Sequence, residues 1–377
     1  MEILIATDSF KHSLSAYEVG KHLSDGISAV LNTASIEILP MADGGEGTLN
    51  ALIDATNGYK KFTEVHDPLM RKIEAPIGIL GNRKTAIAEM AAASGIELLK
   101  NEEINPHQTT SFGTGELIKA ALAENCDEII LGIGGSATID GGAGLMAALG
   151  VTFTDNRNKE ILPRGGNLHE IKQIKFEGLD NRLKNITIRI ACDVNNPLTG
   201  KNGAAFVFGP QKGAKKEELP FFNDNLSHLS QLLKRTTGFA DEHTPGIGAA
   251  GGLPACITAF TNSSLENGFN LISEIVDLES HIKQSDWVIT GEGKLDFQTQ
   301  YGKTPWGVAQ LAAKHKKPLI AIGGAITEDS DIMHSQGFDL MLPILSQPMS
   351  LNEALKKAPE LLRNTGKRIA RVILLKG

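Results

Sequence analysis

Five stretches of this 377-residue chain combine glycine with hydroxyl, carboxylate or lysine side chains. They are DSFKHS at 8–13, ADGGEGT at 42–48, GIGGSATIDGGAG at 132–144, CDVNNPLTG at 192–200 and TGEGKLDFQTQYGKT at 290–304. Each follows a short apolar run that reads as a strand. One such stretch is ordinary turn chemistry, because Gly and Asp make turns. Five at strand ends point to a site, because open α/β sheets bind ligands beyond the carboxyl ends of their strands.

The stretch at 132–144 has the make-up of a phosphate cradle. Its glycines let backbone N–H groups approach an anion, and Ser136 and Thr138 add hydroxyls. The second glycine pair leads into LMAALG, a predicted helix whose N-terminus favours phosphate. A Walker A loop is absent: GKT stands at 302–304, but the earlier glycine would fall at Phe297. Phosphoryl transfer also needs charge stabilisation, metal ligands and a positioned acceptor. Asp43, Asp193 and Asp296 are candidates to hold Mg²⁺ or accept a proton, against the alternative of solvated turns and helix caps. Lys11, Lys294 and Lys303 are candidate clamps for phosphate or carboxylate, against a plain surface role. Lys11 gains from standing between Ser9 and Ser13 at the mouth of the first strand. Arg164 in PRGGNL suits a carboxylate ligand or a structural salt bridge equally.

A competing reading uses the same loop. GIGGSA fits G-x-G-x-x-[GA] after a strand, and Asp155 follows about twenty residues on, as in a dinucleotide site. Against a dehydrogenase, Asp140, Gly141 and Gly142 interrupt the helix start, and no His, Tyr or Cys constellation for hydride chemistry stands out. The ten histidines show no H-x-x-x-H or H-E-x-x-H spacing, so a zinc site is not indicated. A third class is a non-catalytic sensor of glycerate or nucleotide that kept the fold.

The elements that must position these loops are legible. Residues 2–7 form a buried strand, and Ser15 with Glu18 make a capping box before Val19, Leu23, Ile27 and Val30 at helical spacing. IEILP is a second strand, followed by a helix to about Asn57 with Gly58 as its stop. Residues 59–89 read as short strands, with turns at Asp67–Pro68 and Gly81–Asn82. The βα rhythm returns with DWVIT, a helix over 305–316, PLIAIGG, FDLMLPI and a long terminal helix. The expected architecture is α/β: a doubly wound parallel-sheet domain, discontinuous over 1–65 and 270–377, with a second α/β domain inserted over 66–269.

A net charge of −7 gives no general attraction to nucleic acid or anionic membrane. No apolar run approaches the about 18 residues of a membrane helix. The opening MEILIAT lacks the basic and apolar regions of a signal peptide. Cys126, Cys192 and Cys256 lie far apart and read as reduced thiols, which suits the cytoplasm.

Taken as a set, ATDSFKHSLSA, PMADGGEGT, GIGGSATIDGGAG, CDVNNPLTG, GAAGGL and VITGEGKLDFQTQYGKTPWGVA resemble the type I glycerate kinases, in family order and over nearly the whole chain. The resemblance implies a Rossmann-like domain with an inserted α/β domain, Mg-ATP as phosphoryl donor and D-glycerate as acceptor, in a monomer or homodimer. It further implies Ser9 and Lys11 as substrate or phosphate binders, and Asp43, Gly44 and Gly45 at the acceptor site. Gly134, Gly135, Ser136 and Thr138 would meet the nucleotide phosphates. Asp193 and Asp296 would be the catalytic and metal carboxylates, and Lys303 a charge stabiliser. This chain departs from the family pattern twice: His12 stands where the family has glycine, and Ile139 where it has asparagine. The residue at 139 is therefore not carried over as a ligand.

Overall fold

The computed structural model describes residues 1–239, 242–296, 299 and 303–376. In chain order its strands are β1 (Glu2–Thr7), β2 (Ser35–Ile38), β3 (Tyr59–His66), β4 (Lys72–Ile79), β5 (Thr85–Glu89), β6 (Glu128–Gly132), β7 (Thr152–Thr154), β8 (Gln173–Lys175), β9 (Thr187–Ala191), β10 (Ser263–Glu266), β11 (Trp287–Leu295), β12 (Leu319–Ile326) and β13 (Leu340–Pro343). The chain forms two compact units. The first holds residues 1–43, 50–57 and 267–377; the second holds 44–49 and 58–266. The α/β class expected from the strand–helix rhythm is the class observed.

The first unit is built on a five-stranded sheet, β13-β12-β11-β1-β2, parallel throughout. Strands of a sheet covered on both faces need continuous apolar runs. Ile3, Leu4, Ile5 and Ala6 of β1 supply one and are buried. The Ser15–Glu18 capping box forms as the sequence indicates: the Ser15 side chain accepts the Glu18 N–H, and the Glu18 carboxylate accepts the Ser15 N–H. It opens helix Ala16–Ser28, whose Val19, Leu23 and Ile27 are fully buried. Val30 lies past the helix end and is only half-buried. Helix Leu351–Lys376 crosses this helix so closely that a Cβ on Gly26 would stand 2.1 Å from the Arg363 carbonyl oxygen.

Two element ends differ from expectation. Helix Thr48–Thr56 is followed by a left-handed Asn57 (φ 53°), a conformation Asn tolerates, so Asn57 rather than Gly58 ends it. β11 does not stop at Thr290. It pairs with β12 as far as Leu295 opposite Ile326, so half of the supposed 290–304 loop is strand.

The second unit carries a six-stranded sheet, β10-β9-β6-β5-β4-β3. β10, β9, β6 and β5 are parallel, while β4 and β3 fold back antiparallel through the turns read from sequence. β7 and β8 form a separate antiparallel pair. Among the described residues no helix is long and apolar enough to cross a membrane.

Candidate active site

In the first unit, the carboxyl ends of β1, β11 and β12 open on a cavity of 520 Å³. Its wall includes Asp8, Ser9, Lys11, Asp43, Glu292, Lys294, Asp296 and Lys303. β1 and β11 pair in register as far as Thr7 and Gly291, and this brings Asp8 and Glu292 to the same edge. Asp8 accepts its neighbour's N–H from Ser9 at 2.6 Å and the Thr304 hydroxyl at 3.1 Å. Glu292 accepts the Thr299 hydroxyl at 2.7 Å and lies 3.5 Å from the Lys303 ammonium. Asp296 is paired with Lys294 at 2.9 Å. Apolar side chains of Ile344, Leu345 and Met349 line the remainder.

The electrostatics single out two carboxyls. Burial raises the pKa of Asp8 to about 7, and the negative charges of Asp43 and Glu292 push the same way. Burial also raises Glu292, with Asp43 adding to it, against the Thr299 hydroxyl and Lys303. Carboxylates set to repel one another in a cavity that also carries ammonium groups form an environment prepared for polyanion and cation together.

In the second unit, β5, β6 and β9 run side by side, with Glu89, Gly132 and Ala191 aligned. The chain segments that leave them therefore start from one edge. Gly134 and Gly135 are exposed there, and so is Asp193 just past β9. Residues 44–49 pack on this edge. A Cβ on Gly134 would lie 3.2 Å from the Gly45 Cα, and a Cβ on Gly132 would lie 3.1 Å from the Gly44 oxygen. Glu89 accepts the Leu49 N–H at 2.9 Å and takes further bonds from Gly47 and Thr48, while burial raises its pKa.

The rest of the glycine-rich stretch faces inward. Gly141 and Gly142 are both left-handed (φ 63° and 78°), and the bend they make turns Asp140 back onto the following helix, Ala143–Ala148. Asp140 accepts the Ser111 N–H at 2.7 Å, the Ser111 hydroxyl at 2.8 Å and the N–H groups of Gly142 and Gly144. The Leu145 N–H donates to the Ser111 oxygen. These bonds occupy the helix start, so it is not the open phosphate seat the sequence suggested. Thr138 is fully buried and its carbonyl accepts the Lys212 ammonium at 2.8 Å, which gives it a part in holding the loop. Ile139 is also fully buried, within the apolar core of this unit, which accounts for the lost asparagine.

The cavity of the first unit thus gathers Ser9, Lys11, Asp43, Asp296 and Lys303, and the second unit's edge gathers Gly44, Gly45, Gly134, Gly135, Ser136 and Asp193. Arg164 stands half-buried in the second unit; its neighbour Gly165 packs against the Ile139 oxygen, where a Cβ would come within 3.0 Å. Residues 297–298 and 300–302 of the GKT-bearing stretch lie outside the described residues. The dinucleotide reading fails on Asp155. That residue caps its own turn through the Arg157 and Lys159 N–H groups, beside an antiparallel strand pair and not at the end of an adjacent parallel strand. Sequence reasoning missed Asp8, Glu292, Thr304 and Lys212. Asp8 had a signal, being the first polar residue at the end of an apolar strand.

The family model for the glycerate kinase family matches residues 3–374. A glycerate kinase of Bacillus subtilis (strain 168) is 44% identical over 375 residues, covering 100% of this chain and 98% of that protein. A glycerate 2-kinase of Escherichia coli (strain K12) is likewise 44% identical, with the same coverage. A crystal structure assigned to glycerate kinase 2 of Salmonella typhimurium LT2 superposes with a TM-score of 0.91 at 41% identity, covering 100% of this chain and 99% of that one. With strand-end loops, fold and relatives agreeing from end to end, this chain belongs to the glycerate kinase family and is an enzyme, a kinase.

Proposed function

We propose that this kinase is of type I and transfers the γ-phosphoryl group of Mg-ATP to the C2 hydroxyl of D-glycerate, releasing ADP and 2-phosphoglycerate in the cytoplasm. The observation that carries the reading is the first-unit cavity, where carboxylates and ammonium groups alternate around a polar floor. Phosphoryl transfer asks little covalent chemistry of a protein; it asks for position and charge. Lys11 and Lys303 supply positive charge for the glycerate carboxylate and the phosphoryl oxygens. Asp8, fixed by Thr304 and the Ser9 N–H, takes the proton of the attacking hydroxyl. Asp43 and Glu292 offer the oxygen donors that suit Mg²⁺, which prefers one or two carboxylates with waters and phosphate oxygens. When bound, the ion neutralises charge on the phosphates. Asp296, paired with Lys294, positions that ammonium, so the metal role first read on Asp296 moves to Asp43 and Glu292. The exposed N–H groups of Gly134 and Gly135 receive nucleotide phosphates, with Asp193 beside them. Ser9, Gly44, Gly45 and Arg164 remain proposed contacts of the acceptor.

The C2 choice follows from the substrate. A clamp on the C1 carboxylate brings the adjacent hydroxyl nearest to the anchor. The test couples the reaction to enolase alone and then to enolase with phosphoglycerate mutase. A signal with enolase alone supports transfer to C2; a signal that needs mutase shows transfer to C3.

A further inference from the structure

Lys212 is among the largest fully buried side chains of the protein, at 1% exposure. It lies on a single turn, Pro210–Lys212, that ends in a left-handed Gly213 (φ 87°). An ammonium ion loses much solvation in such a place, and it persists only where the interior supplies partners. Its partners here both belong to the glycine-rich loop, 76 and 74 positions earlier: the Ser136 hydroxyl oxygen at 2.6 Å and the Thr138 carbonyl at 2.8 Å. Burial lowers its pKa to about 7, and the negative charge of Asp140, on the same loop, pushes the other way.

We propose that Lys212 is a positioning residue for this loop: by bonding Ser136 and Thr138 from below, it fixes the exposed N–H groups of Gly134 and Gly135 in the geometry that receives a nucleotide phosphate. This rests on the reading of the loop as the phosphate seat. The geometry is specific to that task. Gly135 is left-handed (φ 70°) and exposed, so nothing in its own side chain holds it. The residues on its carboxyl side are held: the Ala137 N–H donates to the Ser94 carbonyl at 2.9 Å, and the Thr109 hydroxyl donates to the Ala137 carbonyl at 2.9 Å. Lys212 closes the remaining gap at Ser136. Because the Ser136 oxygen accepts from Lys212, its own O–H proton is left to donate outward, toward an anion. A loop fixed before the ligand arrives loses less conformational freedom on binding, which is read as affinity.

The test is steady-state kinetics of K212M and S136A, with thermal unfolding alongside. Met matches the length of the lysine stem and removes only the ammonium. Expected is a KM for ATP raised about tenfold in K212M and about threefold in S136A, with the KM for D-glycerate within about twofold of the parent. The double variant should lose less than the product of the two, because both act on one contact. Folded K212M with both KM values unchanged overturns the proposal, even if its unfolding temperature drops, since that is a structural role alone. If K212M does not fold, an unchanged KM for ATP in S136A overturns it. A KM that rises for D-glycerate and not for ATP keeps Lys212 as a positioning residue and instead overturns the reading of the loop as the nucleotide's seat.

Discussion

Thr304, the first residue of helix Thr304–Lys314, donates its hydroxyl to Asp8 at the end of β1 across 3.1 Å, joining two points 296 positions apart in the chain. The bond orients a buried carboxyl that burial and two neighbouring carboxylates hold near neutrality. Asp8 therefore binds a proton more tightly in the folded chain, at about 7, than at its ordinary value of 3.8. Its contribution to stability is full below the ordinary value and is lost as pH rises toward the raised one. D8N should then raise the unfolding temperature of the ligand-free protein by a few degrees at pH 8 and by less at pH 5. The same variant should lower kcat at least about 100-fold, the scale of general-base terms. Thermal melts at the two pH values with a kcat measurement check it; D8N with near-normal turnover removes Asp8 from the mechanism.

The cation is expected to act through Asp43 and Glu292. EDTA should stop turnover, and D43N and E292Q should each raise the Mg²⁺ concentration at half-maximal rate about tenfold or more. D296N should shift it little, because Asp296 is engaged with Lys294. A magnesium titration of the three variants separates them, and a D296N shift as large as that of D43N would return the metal role to Asp296.

His12 adopts the left-handed region (φ 62°) at the position where glycine is the family's residue, and its side chain is exposed. A non-glycine residue there costs about 1–2 kcal/mol, part of which glycine gives back through its more mobile unfolded chain. H12G should therefore stabilise the protein by about 0.5–1 kcal/mol, read as a higher urea midpoint with unchanged slope. A lower midpoint would mean that the imidazole makes a compensating contact.

Lys212 gives a pH dependence of opposite sign to that of Asp8. Its folded value, about 7, lies below the ordinary 10.5, so the unfolded chain holds more protons between the two. Stability should rise with pH across that window through this group, and K212M should flatten the rise. Urea unfolding at pH 7 and pH 9 measures the difference; equal slopes in parent and variant would show that the ammonium is not held as described.

How far the sequence reaches is visible in these same residues. The Ser15–Glu18 box and the apolar spacing of Val19, Leu23 and Ile27 are local, and they read directly as a capped helix. The strand-end loops are local too, which is why most cavity residues could be named from their types. What stayed hidden depends on pairing between distant segments. β11 extends to Leu295 only because β12 lies beside it, and this turns GEGKL from a presumed loop into a strand that presents Glu292. Lys212 meets Ser136 from 76 positions away, and nothing in PQKG marks its lysine as buried. Asp140 looked like loop polarity. Its carboxylate instead satisfies the N–H groups that would have made the helix start a phosphate seat.

The central claim is Mg²⁺-dependent transfer from ATP to D-glycerate. It is tested most directly by ADP release from the purified, folded protein with D-glycerate, with and without EDTA. The account predicts ADP formation that needs both D-glycerate and Mg²⁺ and that falls at least about 100-fold in D8N. ADP release no greater with D-glycerate than without it would contradict it.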